Sequence, residues 1–462
     1  MTSSAPREQT AGEATNRDSG SQVSDGPTIA FSTLGCKLNQ FESDSLATQF
    51  RRAGYTIVAP DSDAEIHVIN TCTVTNRADR KARNLLYRSR RDHPARLTVL
   101  TGCYVDSQLE ELKPADNLIV VPNESKQSIV EMVNAHRAGE LYESHGSVFD
   151  FPVPDRENHI RTMVKVQDGC DNRCAFCIIP LVRGPAQSRP ADDVIEAIRQ
   201  SIDSGAREVV LTGVNMSRYR DGSTRFVDLL ERCLDLHGDY RIRVSSVEPD
   251  QLPAHFAELF RNPKLCGHLH LCLQSGSQRI LKAMRRQYSF DEYVELAEQL
   301  RSVDPLFNLT TDVIVGFPGE SDDEFAETID AVRRIGFGHV HTFPYSVRNG
   351  TRAAGLPDQL PDCVRTERAR LVREAAEVEK RRYRARLVDT TERLLVEHVQ
   401  PVKESLPDRV RLAGFGQHYV RIDTTLVRET AGEPRAWENQ FVDLRITALS
   451  AGPDPVLSGE IT

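Results

Sequence analysis

A chain of 462 residues with a formal net charge of −9, 39% hydrophobic and 27% charged residues has enough apolar material for several cores, at roughly 150 residues per domain. No apolar run reaches the ~18 residues of a membrane span, and MTSSAPREQTAGEATNRDSG at the start lacks the apolar core of a signal peptide, so a cytoplasmic protein without a membrane anchor is expected. The ten cysteines gather in short motifs and behind apolar runs, a distribution that in a reduced compartment points to metal or catalysis and away from a disulfide framework.

Residues 1 to 27 are rich in Ser, Thr, Gly, Asp and Glu without an apolar period, which predicts a disordered leader. Residues 28–145 then alternate apolar runs with helical stretches: TIAFSTLGC before NQFESDSLATQFRRAG, EIHVINTCTV before a basic stretch, and LTVLTGCYV before a shorter polar segment. Such βαβ alternation predicts a parallel sheet covered by helices. Cys36, Cys72 and Cys103 each stand just past one of these strands, in TLGC, NTC and TGC. Ligands of open parallel sheets bind beyond the carboxyl ends of the strands, so three thiols distant in sequence are placed to converge. Singly, each would read as a buried cysteine acting as a small hydrophobe; repetition at one structural position argues against that.

The Pro- and Asp-containing stretch SVFDFPVPDREN closes this unit. A second β/α series over residues 156–387 follows, with six candidate strands in RTMVKVQDG, EVVLTGVN, RIRVSSVEP, HLHLCLQSGS, LTTDVIVGFPGE and HVHTFPYS. Six strands with helices between them predict a partial (β/α) barrel whose working loops lie at the strand C-terminal ends. Residues 390–460 change texture: RLLVEHV, HYVRIDTTLV and NQFVDLRITAL between Gly/Pro turns predict a small β-barrel. Two basic stripes interrupt the acidic chain. Asn76 to Arg96 holds eight Lys/Arg against two Asp, and Arg365 to Arg386 nine against four Glu; both read either as solvated helix faces with i,i+4 pairing or as phosphate contacts.

The stretch GCDNRCAFC places Cys170, Cys174 and Cys177 in a C-x3-C-x2-C loop. Structural zinc normally takes four protein ligands, and iron–sulfur clusters normally four thiolates. Three thiolates therefore supply three corners of a four-iron cube and leave one iron for a non-protein ligand. This loop resembles that of the radical S-adenosylmethionine enzymes. With TLGCKLNQFES, VINTCTVTNRADRKAR, TGCY, LQSGS, LKAMRR and TTDVIVGFPGE, residues 28 to 350 resemble the methylthiotransferases of that superfamily, in the branch acting on threonylcarbamoyladenosine of tRNA. The resemblance implies two [4Fe–4S] clusters, one on Cys170, Cys174 and Cys177 with S-adenosyl-L-methionine on its open iron, the other on Cys36, Cys72 and Cys103. It implies radical activation of C2 of the modified adenine at position 37, sulfur insertion and methyl transfer, with tRNA as substrate and a flavodoxin- or ferredoxin-like protein as electron donor. An unactivated aromatic C–H offers no acidic proton, so a cofactor must carry that chemistry.

Smaller signals follow from the same frame. Gly213 and Asn215 in LTGVNMSRY fall where the family lines its cofactor pocket. Ser245, Gln274 and Ser275 stand at strand ends within reach of ribose or carboxylate, and Gly316 in the late-strand motif is placed near adenine. Each also reads as an ordinary turn residue. In CGHLHLC, Cys266, His268, His270 and Cys272 alternate, but side chains two apart on a strand are spaced ~6.6–7 Å, so one strand cannot chelate one ion with all four; a barrel-interior face near substrate is expected. Cys233 and Cys363 have no partner motif. The tail with LAGFGQHYVRIDTTLV resembles the family's RNA-binding TRAM module. The same chemistry on isopentenyladenosine, or on a ribosomal-protein aspartate, is the alternative. A noncatalytic iron–sulfur RNA-binding or electron-transfer protein is the rival of another class, disfavoured because an electron carrier fills all four corners with protein ligands.

Overall fold

A computed structural model describes residues 26–112, 114–155, 160–402, 409–427, 434–452 and 454–462. The expected leader lies outside these apart from residues 26 and 27, as does 156–159 of the linker. Among the described residues no helix is long and apolar enough to cross a membrane.

The first unit is a five-stranded, all-parallel sheet. Its strands are β1 (Thr28–Thr33), β2 (Thr56–Val58), β3 (Ile66–Thr71), β4 (Leu97–Gly102) and β5 (Leu118–Val121), in the order β2-β1-β3-β4-β5. The central strand β3 is buried at every residue, as a strand covered on both faces must be. The strands β2 and β5, three and four residues long, are not among those expected from sequence. Helices α1 (Lys37–Arg52), α2 (Asn76–Asp92) and α3 (Cys103–Ser107) follow β1, β3 and β4. Helix α2 is capped by Thr75, whose side chain accepts from the Ala78 amide, and Asp79 sits in its first turn, both favourable at a helix N-terminus. Phe41, Phe50, Tyr55, Ile66, Val68 and Val99 form the core of this unit.

The six strands expected in the second unit are present: β6 (Thr162–Lys165), β7 (Glu208–Thr212), β8 (Arg241–Val244), β9 (His268–His270), β10 (Asn308–Val315) and β11 (His339–Pro344). Two parallel three-stranded sheets, β8-β7-β6 and β9-β10-β11, are stitched by parallel bridges from Ile242 to Leu265 and Val247 to Leu271. The result is an open six-stranded arc in chain order, flanked by helices such as Phe290–Val303 and Asp322–Ile335, whose Ser289/Glu292 and Ser321/Glu324 pairs form capping boxes.

A 24-residue helix, Asp362–Ala385, leads to a closed barrel of β12 (Thr391–Pro401), β13 (Arg409–Phe415), β14 (Arg421–Val427), β15 (Phe441–Leu449) and β16 (Leu457–Ile461), ordered β12-β13-β14-β16-β15. This barrel docks on the N-terminal ends of the arc's strands. There the fully buried Glu208 pairs with Arg241 and Arg243, which donate onward to the Arg393 and Phe415 carbonyls and to those of Gly416 and Gln417. The opposite, C-terminal ends of the arc are thereby left for chemistry.

Candidate active site: two thiol triads joined by a buried charge network

Cys170, Cys174 and Cys177 lie on the loop leaving β6, and their thiols are electrostatic neighbours. The loop is held by specific contacts. Gly169 has φ +65, and a Cβ there would stand 1.9 Å from the Pro185 carbonyl, so only glycine makes this turn. The Arg286 Nη1 donates to Cys174 Sγ at 3.1 Å and the Asn215 Nδ2 to Cys170 Sγ at 3.8 Å. Burial, reinforced by the neighbouring Cys174, pushes the Cys177 thiol up to about 12. A thiol in that setting ionises only beside a compensating positive charge, which a bound metal provides.

The second triad has the same construction on β1, β3 and β4. Cys36 caps α1, Cys72 follows β3 and Cys103 opens α3. A Cβ on Gly35 (φ +109) would lie 3.2 Å from Cys72 Sγ, so the Cys36 and Cys72 loops touch. Burial pushes Cys72 up to about 12 and raises Cys36.

The triads are neighbours in space. Cys103 packs against Ile178, Ile179 and Val182, directly after Cys177. Arg183, the next residue, donates its Nε to Cys103 Sγ at 3.4 Å, its Nη1 to Asp168 at 3.0 Å and its Nη2 to Asn39 at 2.7 Å. Glu42, 2% exposed, accepts from Lys126 (2.5 Å), Lys165 (3.2 Å) and Arg183 (3.0 Å), and Lys165 also reaches Asp168 at 2.6 Å. Burial opposes the Glu42 charge, but Arg183, Lys126 and Lys165 together hold its carboxyl well below the usual range. Sequence reading missed all of these. Glu42 lies on a helix that looks amphipathic in isolation, and its partners are 84 to 141 residues away.

The interior of the arc is polar. His270 Nε2 lies 3.3 Å from Asp312 Oδ1 and its Nδ1 3.1 Å from Thr310 Oγ1; ligand atoms of His270, Cys272 and Asp312 are within 4.8 Å of one another. His341 stands 5.6 Å from His270 between ring centroids. Thus His270 and Cys272 meet Asp312 of the next strand, while Cys266 and His268 lie deeper, the latter facing Tyr419 of the small barrel at 4.6 Å. Burial lowers His268 and His341 and brings His339 to about 3, so these three rings are neutral at pH 7.

Of the smaller expectations, Asn215 touches the thiol loop and Gly213 packs 3.1 Å from Gln167 by its virtual Cβ. The Asn215 Oδ1 and the Ser245 Oγ are buried without a hydrogen-bond partner among the described residues, a costly state that suits groups made to receive a ligand. Gln274 has φ +70, uncommon for a residue with a side chain and of the kind found at binding sites. Ser275 is occupied by Thr328 and the Ser277 amide, and Gly316 gives its amide to Glu320 under Arg365; neither is brought to the thiols. A loop of three thiols with the orphaned acceptor of Asn215 beside it is a donor set that fits a cluster with one open iron and a small polar ligand upon it.

The two basic stripes separate. On α2, Arg80, Lys81, Arg83, Arg88 and Arg90 are exposed and no carboxylate oxygen of the described residues lies within ion-pair distance of them, the charge of Arg88 being felt by Asp92 one turn on. Along Asp362–Ala385 and its end, every basic residue but Arg373 holds a carboxylate or carbonyl, as in Arg370 with Glu367 and Glu374, or Lys380 and Arg384 with Asp454. Helix α2 starts beside Cys72 and is pinned to the loop after β11 by Arg348, which reaches Thr73, Asn76 and Asp79.

A parallel arc carrying a three-thiol loop after its first strand defines a radical S-adenosylmethionine class of protein. The model of the Radical SAM superfamily matches residues 164–332, and that of the uncharacterized protein family UPF0004 matches 28–121. The radical S-adenosylmethionine methyltransferase TsrM from Kitasatospora setae shares the fold, with a TM-score of 0.51, 13% identity and coverage of 71% of this chain and 77% of its own. The threonylcarbamoyladenosine tRNA methylthiotransferase MtaB of Thermotoga maritima is 34% identical over 92% of this chain and 95% of its own length. A tRNA-2-methylthio-N(6)-dimethylallyladenosine synthase of Opitutus terrae is 34% identical over 83% and 90%. The chain belongs to the threonylcarbamoyladenosine tRNA methylthiotransferase family.

Proposed function

We propose that this enzyme converts N6-threonylcarbamoyladenosine at position 37 of tRNA into its 2-methylthio derivative. In this reading Cys170, Cys174 and Cys177 hold one [4Fe–4S] cluster, Cys36, Cys72 and Cys103 a second, and the three units correspond to residues 28–145, 156–387 and 390–460. S-adenosyl-L-methionine and the clusters, when bound, supply the radical that removes hydrogen from C2, the sulfur and the methyl group. The chain's own work is positioning. Asn215 and Ser245 offer their free acceptors to the cofactor, Gly213 admits it closely, Gln274 lines the recess, and Ser275 and Gly316 shape the loops around it. Arg286 and Arg183 steady one thiol of each triad by charge-assisted hydrogen bonds. Exposed bases of α2 meet tRNA phosphates beside the recess, and the small barrel adds RNA contact. A flavodoxin- or ferredoxin-like donor in the cytoplasm provides electrons.

The observation that carries this reading is the pairing of two incomplete thiol triads across one buried salt-bridge network. An electron carrier needs no open iron. The test is nucleoside mass spectrometry of tRNA from a strain lacking the protein. The methylthio form of threonylcarbamoyladenosine disappears while its precursor accumulates. Loss of methylthio-isopentenyladenosine instead would assign the alternative substrate, and absence of 5′-deoxyadenosine from the reduced protein with S-adenosyl-L-methionine would return the chain to a noncatalytic role.

A further inference from the structure

Five cations touch a thiol or the aromatic floor of the arc, and four are matched by carboxylates. Arg183 has Glu42 and Asp168, Arg286 has Glu248, and of the three that surround the Tyr419 ring, Arg161 has Glu397 and Arg243 has Glu208. The fifth is Lys37. Its ammonium stands 5.2 Å from the Tyr419 ring centroid and it has no carboxylate among the described residues. A half-buried ammonium without a counter-ion is poorly placed for stability alone.

Its position gives it a partner to find. Lys37 directly follows Cys36, and its ammonium reaches the Tyr419 ring, which packs on His268 of β9 at 4.6 Å, so the side chain runs from the second thiol triad toward the interior of the arc. The cation–π contact with Tyr419 holds it there, and Tyr419 is itself fixed by stacking on Phe415 at 4.9 Å. Burial lowers His268 and His341, His418 is held between Asp304 and Glu392, and the nearby Asp312 is engaged by His270. This side of the arc interior therefore presents one positive charge without a carboxylate partner among the described residues, beside the Tyr419 phenol that it draws down to about 8. The N6 substituent of the proposed substrate ends in a free carboxylate; an isopentenyl group carries no charge.

We infer that Lys37 binds the carboxylate of the threonylcarbamoyl group and so sets the choice of substrate, an inference that rests on the proposed function above. A site built around one charge-assisted hydrogen bond disfavours a ligand that lacks the partner, because the half-buried ammonium is then left without it.

The experiment uses the full reconstituted chain, an anticodon-stem RNA carrying N6-threonylcarbamoyladenosine, and the same RNA with the carboxylate replaced by a carboxamide. With the wild type, kcat/KM for methylthiolation falls ~10- to 100-fold on the amide, the loss of one such hydrogen bond. The variant Lys37→Gln falls to that lower level on the acid and loses nothing further on the amide, while Lys37→Arg keeps most of the preference. Iron content and substrate-free cleavage of S-adenosyl-L-methionine stay at wild-type values in both variants. If Lys37→Gln still prefers the acid as strongly as the wild type, or loses its iron, Lys37 is not the reader of the carboxylate. A wild type inactive on the acid but active on an isopentenyladenosine RNA overturns the functional reading itself, and the inference with it.

Discussion

The Nε of Arg183 lies 3.4 Å from the sulfur of Cys103, although the two residues belong to different units and stand 80 positions apart. Around this contact three buried cations, Arg183, Lys126 and Lys165, face two buried carboxylates, Glu42 and Asp168. Asp106 is a third carboxylate felt by Lys126 and Arg183, and the Arg183 guanidinium turns its Nε to the Cys103 sulfur. One triad is thus electrostatically continuous with the loop that carries the other, without sharing any ligand with it.

That arrangement predicts a division of labour. In a Cys36→Ala, Cys72→Ala, Cys103→Ala variant the loop of Cys170, Cys174 and Cys177 keeps Arg286 and Asn215, so it still loads iron and still cleaves S-adenosyl-L-methionine. Methylthiolated nucleoside vanishes and iron per chain falls by about half, a proportion set by loss of one of two like clusters. Full iron content in that variant would make the upstream thiols core residues. Conversely, Cys174→Ala abolishes deoxyadenosine formation.

The network also makes a stability prediction. Glu42→Gln keeps the shape but takes from Lys126 its ion-pair partner and leaves Lys165 and Arg183 with Asp168, and uncompensated buried charge costs ~3–5 kcal/mol. The exposed pair Arg199 and Glu196 is the control, since removing such a surface partner costs at most ~1 kcal/mol. Urea midpoints for Glu42→Gln and Glu196→Gln should differ accordingly; equal midpoints would mean that the network is solvated.

Docking of the small barrel should depend on pH through His418. Its Nε2 is 2.8 Å from Asp304 and its Nδ1 bonds Glu392; burial opposes the charge, but the two carboxylates raise it to about 10. A histidine with a raised folded-state value stabilises fully below its ordinary ~6.5, and the contribution is lost as pH rises through about 10. The stability difference between wild type and His418→Gln therefore shrinks steadily from pH 6.5 to pH 10. A difference independent of pH would show that the ring is neutral throughout.

Much of this architecture is written locally. Apolar runs ending in cysteine announced β1, β3, β4 and the loop after β6, because strand period and thiol spacing are short-range patterns. The Gly-Cys dipeptides at Gly35 and Gly169 add a local signal that the thiol positions need sharp turns. Glu42, Arg183 and Lys37 were illegible for the opposite reason: a charged residue on a helix face or in a loop looks solvated until a partner more than a hundred residues away closes over it. The second basic stripe shows both kinds of pairing: Arg370 and Arg382 take Glu367, Glu374 and Glu379 of their own helix, as its spacing suggests, whereas Glu320, Asp322 and Asp454, the partners of Arg368 and Arg384, come from other elements.

That difference between the stripes gives the last prediction. Helix α2 is fixed beside Cys72 by Arg348 and turns Arg80, Arg83 and Arg88 to solvent, whereas Arg370 and Arg382 are paired along their own helix. Each phosphate contact contributes about 0.9 to the slope of log affinity against log salt on B-form duplex, and ~0.7 on single strands, which bracket the value expected for a tRNA. An Arg80→Gln, Arg83→Gln, Arg88→Gln variant should therefore bind tRNA more weakly and lose roughly 2 to 3 from that slope, with S-adenosyl-L-methionine cleavage intact. The variant Arg370→Gln, Arg382→Gln should leave the slope where it was, because those guanidinium groups are already compensated within the chain. Titrations between ~50 and ~200 mM salt decide the matter: equal losses from the two helices would show that internal pairing does not withhold an arginine from RNA, and no loss from α2 would place the tRNA on another face.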